Sequence, residues 1–319
     1  MRGILLAGGK GSRLDPLTRV VSKHLLPVYD KPMIYYPLVT LMQAGIREVL
    51  VISSPQDLAS YRSLLGNGSR WGLSLSYAKQ LQPEGIAQAL VIGASFIKDR
   101  TCCLILGDNV LVGKSLTAGS AAPQFSSGAL VYAKTIRNPS EYGVVSLDAR
   151  GRAISIIEKP LNSDSRWALI GVYVYDHQVG EIARSLKPSS RGELEITDVN
   201  IHYLRSGQLR VRKLGPGYAW FDAGTPNRLM DASCFVRQKM ERKGGHMACP
   251  AEVAFQNGWI SAAQVEAEAS QSASSTYRSY LLGVLARETT VEMPKVEPVT
   301  APPYVTGLGR LTNSGSLIK

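Results

Sequence analysis

The segment Leu6-Ala7-Gly8-Gly9-Lys10-Gly11-Ser12-Arg13-Leu14 sets three glycines ahead of an arginine. Glycines at a strand end let backbone N–H groups approach a phosphate chain, and the arginine fork can grip the same anion. It is not a dinucleotide fingerprint, because Leu14 stands where the last glycine of GxGxxG would fall. GxxxxGK[ST] is absent too. A second cation, Lys23, precedes an apolar turn in Ser22-Lys23-His24-Leu25-Leu26-Pro27. Two carboxylates stand in notable places: Asp108 in Gly107-Asp108-Asn109, and Asp222 in Trp220-Phe221-Asp222-Ala223-Gly224-Thr225. Together they suit Mg²⁺, which takes few protein carboxylates and completes its shell with phosphate oxygens and water. Each also has a plainer reading when taken alone: Asp222 as a helix N-cap, Lys23 as a solvated lysine, and the glycines as a turn with a surface arginine. Glu158-Lys159-Pro160 offers a cation for a sugar phosphate and an acceptor for sugar hydroxyls. Arg191, ahead of Gly192-Glu193-Leu194-Glu195, can reach a phosphate, while the acids open a helix and favour its dipole.

The elements that must carry these residues are legible from periodicity. Apolar runs at 3–7, 48–52 and 101–106 read as buried strands, and 73–77 alternates as a strand does. Helical spacing covers 33–44, 56–65 and 86–96. Strand and helix in alternation imply a parallel sheet with helices on both faces. Strands follow at 129–133, 143–147, 153–157, 169–175 and 209–213, and helices at 179–186, 193–206 and 226–243. Gly244-Gly245 then breaks the chain. The reading is an α/β, Rossmann-like three-layer catalytic domain over 1–243 with a mostly parallel central sheet. A small helical appendage covers 244–287, and a Pro/Gly/Thr-rich tail over 288–319 reads as disordered.

Bulk properties narrow the class. The chain has 319 residues and a net charge of +11. Its basic residues are dispersed, without the runs or aromatic interleaving of nucleic-acid binders, so phosphate-bearing small molecules are the better fit. No apolar run nears the roughly 18 residues that span a bilayer, and the short apolar start lacks a cleavage site. The expectation is a cytoplasmic enzyme with no membrane or nucleic-acid partner. Four cysteines show no metal-ligand spacing, and Cys102-Cys103 should face opposite sides of a strand. The four histidines have no catalytic neighbours in sequence and read as structural or exposed.

Taken in order, LAGGKGSRL, SKHLLPVYDKPMIYYPL, GIREVLVIS, LLGNGSRWGL, GIAQAL, LGDN, YGVV, EKP, RGELEITDVN and GYAWFDAGT resemble the bacterial glucose-1-phosphate thymidylyltransferases, from Met1 to about Ala286. The appendage CPAEVAFQNGWI resembles that of the long form of this family. The resemblance implies that dTTP sits on Gly8, Gly9 and Gly11, with Leu6, Gln80, Pro83 and Gly85 around the nucleotide. It makes Arg13, Lys23, Asp108 and Lys159 catalytic, with Arg13 gripping the triphosphate. Asp108 and Asp222 would hold Mg²⁺. Tyr142, Gly143, Glu158, Lys159, Val172, Arg191 and Trp220 would form the glucose-1-phosphate site. A homotetramer, inhibited by a downstream sugar nucleotide at a second site near subunit contacts, is also implied.

Several positions depart from that pattern: Ile170 and Ala223 for threonine, Leu81 for proline, Asp15 for an aromatic, and Val112-Gly113-Lys114 for aromatic-Gly-His. Ser115–Gln124 is poor in apolar helical pattern. These changes bear on substrate preference, pocket polarity and regulation more than on the chemistry. UTP or a modified hexose phosphate remains open, as does a non-catalytic paralogue. The latter should have lost Arg13, Lys23, Asp108 or Asp222, and all four are present.

Overall fold

A computed structural model describes residues 1–116, 126–243 and 245–289. The first half alternates as the sequence implies: β1 (Arg2–Ala7), a small hairpin of β2 (Pro27–Val28) and β3 (Lys31–Pro32), α1 (Tyr35–Gln43), β4 (Glu48–Ser53), α2 (Leu58–Leu65) and β5 (Ser74–Lys79). Then come α3 (Gln88–Ile92), α4 (Ala94–Ile97), β6 (Cys102–Leu106) and β7 (Asn109–Val112). The middle holds β8 (Ala129–Thr135), β9 (Gly143–Leu147), β10 (Ala153–Glu158) and β11 (Trp167–Tyr175). It closes with α5 (Val179–Ser185), α6 (Ile196–Arg205), β12 (Leu209–Leu214), β13 (Ala219–Asp222) and α7 (Pro226–Lys243). The appendage contributes α8 (Pro250–Gln256), α9 (Ala262–Gln271) and α10 (Ser275–Thr289).

The path β10-β9-β11-β6-β1-β4-β5, with β8 on β11 and β12 on β8, makes one nine-stranded sheet. β10 and β11 run against the other strands, so the sheet is mostly parallel. Each central strand is apolar on both faces because helices cover both. Leu5, Cys103 and Ile105 face one core, which α1 and the appendage cover. Ile4, Cys102 and Leu104 face the other, under α3, α5 and α6. The adjacent cysteines therefore do point to opposite faces. Asp30 falls in the turn of the β2–β3 hairpin, as its neighbours Lys31 and Pro32 suggest.

Three local expectations need correction. The helix foreseen over 86–96 is two short pieces meeting at Gly93, where a Cβ would lie 2.6 Å from Ile4 Cδ1. The helix foreseen from Glu193 starts at Ile196, so Glu193 and Glu195 precede it and only Asp198 lies in its first turn. β7 and β13 were not foreseen as strands; they pair antiparallel as a separate ribbon, with Asn109 opposite Asp222. Of Ser115–Gln124, residues 117–124 lie outside the described residues, as does the tail from 290.

Candidate active site

A cavity of about 580 Å³ opens at the carboxyl ends of β1 and β6, where Leu6 and Leu106 line it. Open α/β sheets bind ligands at the carboxyl ends of their parallel strands. It is lined by Leu6, Gly8, Arg13, Lys23, Asp108 and Asp222. Tyr142, Gly143, Glu158, Lys159, Arg191 and Trp220 line it too. Twelve residues from separate stretches of sequence thus share one space. Four other positions lie behind or beside it. Gln80 is buried with its Oε1 only 2.0 Å from where a Gly8 Cβ would stand, so the carboxamide lies against the glycine loop. Gly85 abuts the Leu194 backbone, Pro83 is exposed, and Val172 is 1% exposed in the core, between cavity-lining Gly171 and Tyr173.

The loop takes its shape from glycine. Gly9 and Gly11 have φ of 93° and 63°, a region costly for other residues. Gly11 then starts the single turn Ser12–Leu14 that carries Arg13.

The ribbon settles whether the two aspartates meet. Asp222 ends β13, Asp108 immediately precedes β7, and the Ala223 N–H donates to the Asp108 carbonyl at 3.1 Å. Their electrostatics agree. Burial raises the Asp222 pKa, and the Asp108 charge raises it further against Arg13, Lys23 and Arg228. Burial pushes Asp108 the same way, but Lys23 and His24 override it and the pKa is lowered. Lys23 Nζ donates to Asp108 Oδ2 at 2.5 Å. Asp222 is not the cap of α7: that helix starts at Pro226, and Thr225 Oγ1 accepts the Arg228 N–H at 3.4 Å. Among the described residues no group of three or more His, Cys, Asp or Glu forms a metal cage. Two carboxylates beside two cations suit a hard cation that completes its shell with phosphate and water oxygens, so this donor set fits Mg²⁺.

Lys159 follows β10 with φ 44°, a strained value for a lysine, next to Glu158. Thr197 Oγ1 donates to Glu158 Oε2 at 2.5 Å. Arg191 donates to both Glu195 oxygens at 2.8 Å. The Tyr142 and Trp220 rings meet edge to face, 5.1 Å between centroids. Asn109 ties β11 to Trp220: its Nδ2 donates to the carbonyls of Ile170 and Gly171, and its Oδ1 accepts from Trp220 Nε1 at 3.0 Å.

Sequence reading missed Glu141 and Arg228. Arg13 donates to Glu141 at 3.3 Å, and Arg228 donates to both Glu141 and Asp222. No local pattern marks this pair, which lies 87 positions apart. His24, read from the sequence as structural or exposed, lines the cavity. It is buried against Ser22 and Tyr61, and burial, then Lys23, lowers its pKa to about 3.

A family model described as Nucleotidyl transferase matches residues 2–239. A glucose-1-phosphate thymidylyltransferase of Neisseria meningitidis is 50% identical over 289 residues, 90% of this chain and 100% of the relative. One from Mycolicibacterium smegmatis is 51% identical over 288 residues, with the same coverage. The chain belongs to the glucose-1-phosphate thymidylyltransferase family of nucleotidyl transferases. A Bacillus anthracis crystal structure assigned to that family superposes with a TM-score of 0.70 at 39% identity, covering 74% of this chain and 95% of that one. A UDP-glucose pyrophosphorylase at 23% identity and TM-score 0.65 shares the fold. The chain is therefore a nucleotidyltransferase, and this cavity is its candidate active site. Nucleotidyl transfer from a sugar phosphate needs no Ser–His or Cys–His nucleophile: a phosphate monoester is already a nucleophile, and the protein need only align two anions and offset their charge.

Proposed function

We propose that the enzyme joins dTTP and α-D-glucose-1-phosphate into dTDP-glucose and pyrophosphate. The observation that carries this is the gathering of Asp108 and Asp222 with the cations Arg13, Lys23, Lys159 and Arg191 in one cavity. The triphosphate lies along the glycine loop under Arg13 and Lys23. Gln80, held by a 2.6 Å hydrogen bond to Gln88, presents its carboxamide beside Gly8 toward the base. Lys159 and Arg191 orient the sugar phosphate, and Glu158 accepts sugar hydroxyls. A phosphate oxygen of the sugar attacks the α-phosphorus in line. The bond to the β-phosphate bridge breaks, and pyrophosphate leaves with the electron pair. Mg²⁺ held by Asp108 and Asp222 would offset the charge that builds on these oxygens. The same reading makes the enzyme a cytoplasmic homotetramer without membrane or nucleic-acid partners. Among the described residues no helix is long and apolar enough to cross a membrane.

The test is pyrophosphate release with glucose-1-phosphate and Mg²⁺, comparing dTTP, UTP, ATP and GTP. The expected outcome is preference for dTTP and loss of turnover in Asp108→Asn. Preference for another nucleotide, or full activity in the variant, would overturn the substrate or the metal site respectively.

A further inference from the structure

Every cation lining the cavity has a carboxylate against it, but these pairs differ in how firmly they are held. Lys23 and Asp108 are 15% and 13% exposed, and Arg191 makes a double contact with Glu195, itself 9% exposed. Such pairs are costly to separate, because a buried charge would be left alone. Arg13 and Glu141 are 53% and 47% exposed and share one contact of 3.3 Å. An exposed pair of this kind is weak and is exchanged readily for another partner.

The exchange would leave no charge stranded. Arg228 holds Glu141 independently through contacts of 2.7 and 3.2 Å. Arg228 is itself fixed by Asp222 at 3.1 Å and lies over the Tyr142 ring, 5.6 Å from its centroid. The Arg13 guanidinium meanwhile lies against the Gly224 backbone, with Nη2 2.8 Å from where a Cβ would stand. Arg13 thus sits close against the Gly224 backbone while its counter-anion is exchanged.

We propose that Glu141 is a stand-in anion, kept on Arg13 by Arg228, which the incoming triphosphate displaces. Glu141 is then a positioning residue that holds the Arg13 fork ready and lowers nucleotide affinity in return. This rests on the assignment of Arg13 to the triphosphate made above.

The test measures dTTP binding to the full chain by calorimetry in EDTA, for wild type, Glu141→Gln, Arg13→Ala and the double variant. Glu141→Gln should tighten binding about two- to fivefold, the worth of an exposed ion pair. That gain should vanish when Arg13 is alanine, and the change should appear in KM for dTTP more than in kcat. Glu141→Asp keeps the charge but is a methylene short of spanning both guanidinia, and should give an intermediate gain. It also serves if Glu141→Gln fails to fold. Unchanged or weaker binding in Glu141→Gln overturns the proposal, as does a gain that persists without Arg13, which would mean simple charge repulsion. Wild-type turnover is read alongside: triphosphate binding without turnover removes the substrate reading and leaves the exchange standing. No triphosphate binding by wild type removes the exchange.

Discussion

At the scale of single residues, the site puts function and stability in opposition. Asp222 has a raised pKa, from burial first and Asp108 second. A carboxyl whose folded pKa lies above its unfolded value contributes stability below the unfolded value and loses it as pH rises through the folded one. Ionised Asp222 therefore weighs against the fold at neutral pH. Asp222→Asn should melt higher than wild type at pH 7, with the difference disappearing below roughly pH 4, where aspartate is protonated in both states. Its kcat/KM should fall on the order of a hundredfold or more. A variant that melts lower at pH 7 would show that the contact with Arg228 outweighs the burial. His24 gives the opposite pH dependence. Its pKa is lowered to about 3 by burial and Lys23, so its contribution is whole above the unfolded value near 6.5 and lost as pH falls toward 3. Urea-unfolding free energies of wild type should drop between pH 6 and 4 with up to ~1.4 kcal/mol per pH unit from this group. His24→Asn should flatten that slope, and an unchanged slope would remove the assignment.

At the scale of elements, the deciding structure is the ribbon of β7 and β13. The strands of the main sheet were legible because long apolar runs such as Cys102–Leu106 need burial on both faces. The ribbon was not, because each strand has four residues, β13 is only partly buried throughout, and their pairing joins positions about 110 apart. The acids ahead of α6 misled for a related reason: Glu195 turns its carboxylate to Arg191 and Ser189 rather than to the helix. The chemistry-bearing residues were legible in type, whereas their partners Glu141, Thr197 and Arg228 are set by tertiary contact alone. Asn109 is the joint between ribbon and sheet. It faces a register shift in β11 between Leu169 and Tyr173, where Gly171 has φ 71°. Asn109→Asp would set a carboxylate oxygen against two carbonyl oxygens and leave them without a donor. A loss of ~3 kcal/mol or more in unfolding free energy is expected, with a raised KM for glucose-1-phosphate. Retained stability would mean that the carbonyls find water instead.

At the scale of the molecule, the question is whether the appendage is a domain of its own. Its apolar residues argue for a shared core. Cys249, Val253, Val265 and Leu281 belong to the same buried cluster as Leu38 of α1 and Val51 of β4. Trp71, 1% exposed, donates its Nε1–H to Glu268 Oε2 on α9 at 2.9 Å. Tyr277 of α10 also donates to Glu268, and Asn257, just past α8, donates to the Met42 carbonyl of α1. Burial raises the Glu268 pKa, so this carboxylate too is enclosed by both parts. Leu281 is 0% exposed, and Leu281→Ala should cost ~2–5 kcal/mol. If the core is continuous, that loss lowers a single melting transition of the whole chain and reduces protection of α1 amides against hydrogen exchange. If the appendage folds by itself, calorimetry of the variant would show an early transition confined to it, with the remaining transition and the α1 amides unchanged.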